Sequence, residues 1–120
     1  MGKKSAGASL DLCSVPGEVG EALARSGGVD GLIRGLPGDE VLEAQIRVFQ
    51  ACADPIRLRI LAMLSRDPLC VCVMKAVLGI ADSKLSYHLA ILKKAGLAEG
   101  EQQGNWIIYR ITDEGRKFAP

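Results

Sequence analysis

The feature that most restricts the fold is a pair of short helical patterns separated by a tight break. Residues 71–78 read as one helix, and Gly79 stops it, because glycine takes the left-handed backbone at a helix end without steric cost. Ile80-Ala81-Asp82 makes the turn, Ser83 is the expected cap of the next helix, and that helix runs to about Lys94 before Ala95-Gly96 ends it. At 100° per residue Leu85, Leu89 and Leu92 fall within one narrow arc and face a core. Ser83, Lys84, Tyr87, Ile91 and Lys94 cluster on the opposite side, flanked by Ser86 and His88. Immediately before the pair stands Leu69-Cys70-Val71-Cys72, two thiols one residue apart.

The flanking segments complete the pattern. Asp39 is the expected cap of a helix over residues 40–52, with Val41, Ala44, Val48 and Phe49 near helical spacing. Asp54-Pro55 opens another, since Asp caps well and proline at the first helical position forfeits no needed N–H. Ile56, Ile60, Leu61 and Leu64 line one side of it, and Pro68 blocks its continuation. Two strands are expected at 97–101 and 106–111, joined by Gln102-Gln103-Gly104-Asn105, with a short helix capped by Thr112 after them. This order predicts a chain that is mainly α with a small β hairpin: a winged helix-turn-helix over 39–120. Residues 1–38, broken by Pro16, Gly27-Gly28, Gly35 and Pro37-Gly38, read as a flexible or partly helical arm, with a helix over 18–24.

Composition narrows the function. The 120 residues are 48% hydrophobic but only 4% aromatic, so the core is aliphatic. The net charge is +1, so nucleic-acid affinity has to come from a local patch, or from two patches summed in a dimer. No run of about 18 apolar residues predicts a membrane span, and Met1-Gly2-Lys3-Lys4-Ser5 leads into no apolar stretch of a signal peptide. The expectation is a cytoplasmic protein whose four cysteines are reduced, which makes the CxC pair a candidate metal site or redox switch. Catalysis is not expected: no paired carboxylates, Ser/His/Asp set or phosphate-cradling glycine loop is evident, and there is one histidine.

In an unbroken helix Cys70 and Cys72 point about 200° apart and cannot share an ion. They converge only if Cys70 lies before the first helical turn in an extended or capping conformation, which Pro68 favours. The helix N-terminus then favours thiolate. Thiolates select soft or borderline ions.

The chain resembles the ArsR/SmtB family of metal-sensing repressors over residues 41–115. The resemblance rests on four motifs in order. They are FQACADPIRLRIL from Phe49 to Leu61, LCVC at 69–72, SKLSYHL at 83–89 continuing into LKKAGL at 92–97, and GNWIIYRI at 104–111. It implies a homodimer on double-stranded operator DNA, released when an ion binds the thiols. In arsenic-type members a third thiol often follows three residues after the second. Here that position is Lys75, so the missing ligand has to come from elsewhere. Cadmium/lead-type relatives supply N-terminal cysteines, often across the dimer, which makes Cys13 the first candidate and Cys52 the second. Against this, Cys52 occupies a place that is usually apolar and reads more simply as a small core residue, and Cys13 reads equally well as a stray thiol. Three thiolates favour arsenic(III) or antimony(III), and four favour cadmium, lead or zinc. Arsenic(III) is the leading inducer on this count. A thiol redox sensor is the rival within transcription control.

The expected groove-facing residues are Ser83, Lys84, Ser86, Tyr87 and His88, with Lys93, Lys94 and Arg110 as phosphate contacts. Each lysine reads equally well as part of a solvated face. His88 reads alternatively as a helix-surface residue near a second subunit. Trp106 and Tyr109 are expected to support the wing.

Overall fold

The computed structural model describes residues 14–120, which form two compact units divided after Asp39. The first holds α1 (Gly17–Ser26) and α2 (Gly28–Arg34). Leu23 is the buried side chain of α1, and Gly27, with φ of 85°, ends that helix in a conformation costly for any residue with a Cβ. Helix in this region is therefore more extensive than the single segment over 18–24 that the sequence suggests.

The second unit is the winged helix-turn-helix. Its elements are α3 (Asp39–Cys52), α4 (Pro55–Leu64), β1 (Leu69–Cys70), α5 (Val71–Leu78), α6 (Asp82–Lys94), β2 (Ala98–Gln103), β3 (Trp106–Ile111) and α7 (Asp113–Arg116). The start of α4 follows the sequence rule. Asp54 Oδ2 accepts from the backbone N–H of Ile56 at 2.9 Å and of Arg57 at 3.1 Å, and Pro55 sits in the first turn. By contrast, Ser83 does not cap α6. That helix starts one residue earlier, behind Ala81, with no side-chain cap, and Ser83 lies exposed in the first turn. Gly79, with φ of 64°, ends α5 and donates its N–H to Lys75 O at 2.8 Å.

Aliphatic side chains fill the interior, as the composition predicts. Ile60, Leu61 and Leu64 of α4, Met74 of α5, and Leu85, Leu89 and Leu92 of α6 are buried together with Leu97. Fully burying each such side chain is worth about 1.5–3 kcal/mol, so this cluster dominates the stability of the unit. Helix α3 contributes little to it. Ala51 is its buried residue, while Val41, Ile46 and Phe49 are more than half exposed.

The expected hairpin is one part of a three-stranded antiparallel sheet, ordered β1-β3-β2. β2 and β3 pair in six registered positions from Ala98↔Ile111 to Gln103↔Trp106, and Gly104 at φ 62° turns the chain between them. The extra strand is the thiol segment itself: Leu69 pairs with Tyr109, and Cys70 with Ile108. Thr112 locks the far end. Its hydroxyl donates to Gly96 O at 2.7 Å and accepts from Gly115 N at 2.9 Å, capping α7 as expected.

Candidate thiol centre and nucleic-acid face

Strand β1 stops where α5 begins, and the two thiols straddle that junction. Cys70 caps α5 with φ −81° and ψ 158°, an extended conformation, whereas Cys72 lies in the first helical turn. The break turns both side chains the same way, and their sulfurs stand 2.9 Å apart. Two thiolates held about 2.3 Å from one tetrahedral ion stand about 3.8 Å apart, so the pair has to open by only about 0.9 Å to chelate.

The two sulfurs share their protons unequally. The Cys72 thiol, followed by the backbone N–H of Val73, holds Cys70 below the ordinary thiol range, and burial opposes them weakly. The same bond to Cys70 pushes Cys72 up, with desolvation and the charge of Cys70 adding to it. Cys70, the half-buried sulfur, is thus the more acidic of the two, and the exposed Cys72 the less. Thiolate is the form that attacks and ligates.

The thiols open into a cavity of about 560 Å³ between α5, α6 and the wing. Ser86, Ala90 and Lys93 of α6 line one wall, and Trp106, Ile107 and Tyr109 of β3 the other. Trp106 is therefore more than internal support for the wing: it is 56% exposed at this cleft. Lys75, in the place of a third thiol, makes an ion pair with Asp82 at 2.9 Å beside the same cleft. Among the described residues, no group of three or more His, Cys, Asp or Glu side chains is close enough to hold a metal ion. Cys13 lies outside the described residues. Cys52 packs against the core, and burial raises its thiol against the weaker opposing charge of Arg57. Both observations favour the packing role for Cys52.

The other expected residues divide cleanly. Ser83, Lys84, Ser86, Tyr87, Lys93 and Lys94 are exposed along α6. Arg110 is exposed on β3 and faces Glu101 across the hairpin, Nε to Oε1 at 3.7 Å. His88 does not belong with them. It is 5% exposed, and its ring packs edge-on to Tyr87 at 5.1 Å. Its Nδ1 accepts a hydrogen bond from the Arg57 guanidinium at 2.9 Å. The groove-facing expectation for His88 fails because its place on the helix falls beside the leucine arc, not opposite it. Arg57 also escapes sequence reading. Its Nε donates to Ala51 O at 2.8 Å and its second amino group to Gln50 O at 3.1 Å. No local pattern names a partner 31 residues away.

Comparison with known proteins bears on this arrangement. The family model for bacterial regulatory proteins of the arsR family matches residues 54–99. The arsenical resistance operon repressor of Bacillus subtilis is 41% identical over 76 residues, which cover 62% of this chain and 72% of that one. An HTH-type transcriptional regulator of Methanocaldococcus jannaschii is 38% identical over 76 residues, covering 62% of this chain and 85% of that protein. Among solved structures, the homodimeric winged helix-turn-helix DNA-binding domain of Mb0332 from Mycobacterium bovis matches with a TM-score of 0.63. It is 30% identical and covers 70% of this chain and 82% of that one.

Proposed function

The chain belongs to the ArsR/SmtB family of transcriptional regulators, and on that premise we propose that it is a homodimeric repressor released from operator DNA when a soft ion binds Cys70 and Cys72. Arsenic(III) is the proposed inducer. One observation carries the reading: two sulfurs 2.9 Å apart in the cleft that α6 shares with the wing, with Cys70 the more acidic of them.

Two thiolates suit a soft ion but leave its coordination incomplete. Cys13 is the proposed third ligand, from the same or the partner subunit. It would make the set three sulfurs, which favours arsenic(III) or antimony(III); a further sulfur from the partner would favour cadmium, lead or zinc. Relatives named as arsenical resistance repressors support the first choice. The exposed apolar face of α3, with Val41, Ile46 and Phe49, is the proposed contact between subunits, consistent with a homodimeric structural relative. Such a dimer sums two modest positive edges on DNA. Ser83, Lys84, Ser86 and Tyr87 are the proposed groove contacts, with Lys93, Lys94 and Arg110 on phosphates.

Coupling between ion and DNA has a short path in this design. Ser86 and Lys93 line the thiol cleft, so an ion that spreads the sulfurs acts on the α6 surface offered to DNA. Linkage makes the effect reciprocal: operator DNA weakens ion binding by the same factor by which the ion weakens DNA binding. The deciding experiment titrates operator DNA with and without arsenite or cadmium, for wild type and for Cys70→Ser and Cys72→Ser. Release by ion in the wild type and none in either variant is expected. Equal release in all three overturns the thiol trigger. X-ray absorption of the arsenic-loaded protein then counts sulfur neighbours, with three expected. Release by peroxide in place of soft ions would identify a redox sensor.

A further inference from the structure

The recognition unit is fastened at a second, half-buried polar point, centred on the buried His88, that no part of the thiol chemistry uses. Arg57 projects from the first turn of α4 and makes three hydrogen bonds. Two go to the carbonyls of Gln50 and Ala51 near the end of α3, and the third to His88 Nδ1 on α6. Asp54 Oδ2, already capping α4, lies 3.9 Å from the same imidazole nitrogen. A guanidinium has only donors, so His88 accepts at Nδ1 and carries its proton on Nε2. The imidazole is thus neutral, and a second proton would set N–H against N–H.

We propose that His88 is a positioning residue for DNA recognition, its neutral Nδ1 holding Arg57 so that α3, α4 and α6 are locked in one relative orientation. The inference rests on the reading of α6 as the DNA-recognition helix. Its physical basis is preorganisation: a helix already fixed in its bound pose loses less entropy on docking. Helix α3 is also the proposed subunit contact, so the same junction sets the angle at which each protomer offers α6.

Protonation is the natural way to break this lock. The groups facing His88 are Arg57, Asp54 and Lys84, with the Tyr87 ring against one edge. Burial is the first influence on the imidazole and disfavours its charge. Asp54 opposes that, while Arg57 and Lys84 reinforce it. The neutral form therefore persists to lower pH than in a free histidine, and DNA affinity is lost only below it.

His88 is the single histidine of the chain, which makes the test clean. Imidazole ¹⁵N resonances of the whole protein should show the Nε2–H form with Nδ1 accepting, and a titration below the ordinary value. An Nδ1–H form, or titration like an exposed histidine, overturns the proposal. Binding is read on a duplex that the wild type selects from random sequence. His88→Leu removes the acceptor and should weaken binding by about tenfold or more, the scale of one lost charge-assisted hydrogen bond. His88→Asn, whose amide oxygen can take the place of Nδ1, should stay within about threefold at pH 7.5 and lose the acid sensitivity. Should His88→Leu fail to fold, the Asn variant and the resonances still decide. A folded Leu variant that binds as tightly as wild type sinks the proposal. A wild type that selects no duplex sinks the DNA reading itself, separately.

Discussion

The two polar sites flanking α6 are built on opposite principles. At the head of α5 two sulfurs lean on each other at the surface, half-buried Cys70 made more acidic and exposed Cys72 less so by the contact. At the Arg57–His88 junction three helices meet, and one guanidinium donates to two carbonyls and an imidazole nitrogen. Among the described residues no buried side-chain nitrogen or oxygen lacks a partner. An exposed, sparsely bonded pair adds little to stability, whereas a half-buried network tied across three helices adds more, and a thiol pair that senses an ion needs its sulfurs accessible. The first should therefore tolerate substitution in stability and fail in response, and the second should do the reverse.

Four measurements press on that contrast, from the largest expected effect to the smallest. Cys70→Ser should abolish ion-induced release, a change of about 100-fold in the operator affinity ratio, while moving thermal stability by less than about 0.5 kcal/mol. A large stability loss would show that the thiol pair is structural. Arg57→Ala should cost about 2–3 kcal/mol in denaturant unfolding, because it takes the guanidinium from the Ala51 carbonyl and the His88 nitrogen together, while the Gln50 carbonyl keeps the Ala53 N–H. A loss below about 1 kcal/mol would mean water replaces the guanidinium without penalty.

The third is pH. His88 has its folded value lowered, chiefly by burial, so the unfolded chain takes up the proton first. Its contribution is complete above the unfolded value of about 6.5 and is lost as pH falls from there through the folded value. Unfolding free energy should drop over that interval in the wild type, and less in His88→Asn. The fourth is Lys75→Cys, which places a third thiol one helical turn after Cys72. It should make the response to arsenite independent of Cys13 at little cost in stability, since Lys75 loses only an exposed pair with Asp82, worth about 0–1 kcal/mol. Continued dependence on Cys13 would show that the cleft geometry, not the sulfur count, chooses the ligand.

Local rules were enough for much of this fold. The Asp54 and Thr112 caps, the Gly79 stop and the leucine arc of α6 each depend on neighbours within a few residues, and each is where the sequence put it. The convergence of the thiols was legible for the same reason, since a helix boundary after Cys70 follows from Pro68 and geometry. Three features were not. The third strand is two residues long, and only its partner β3 makes it a strand. The burial of His88 depends on how α6 sits against α4, which periodicity places no closer than one helical position. Trp106 at the cleft depends on how the wing folds back, a tertiary fact with no local signature.

Cys70 closes a strand and opens a helix in the same residue, and it lies in register with Ile108 of the hairpin. An atom held by this sulfur would thus be one residue from both the wing and the first turn of α5, a single anchor point with two attachments.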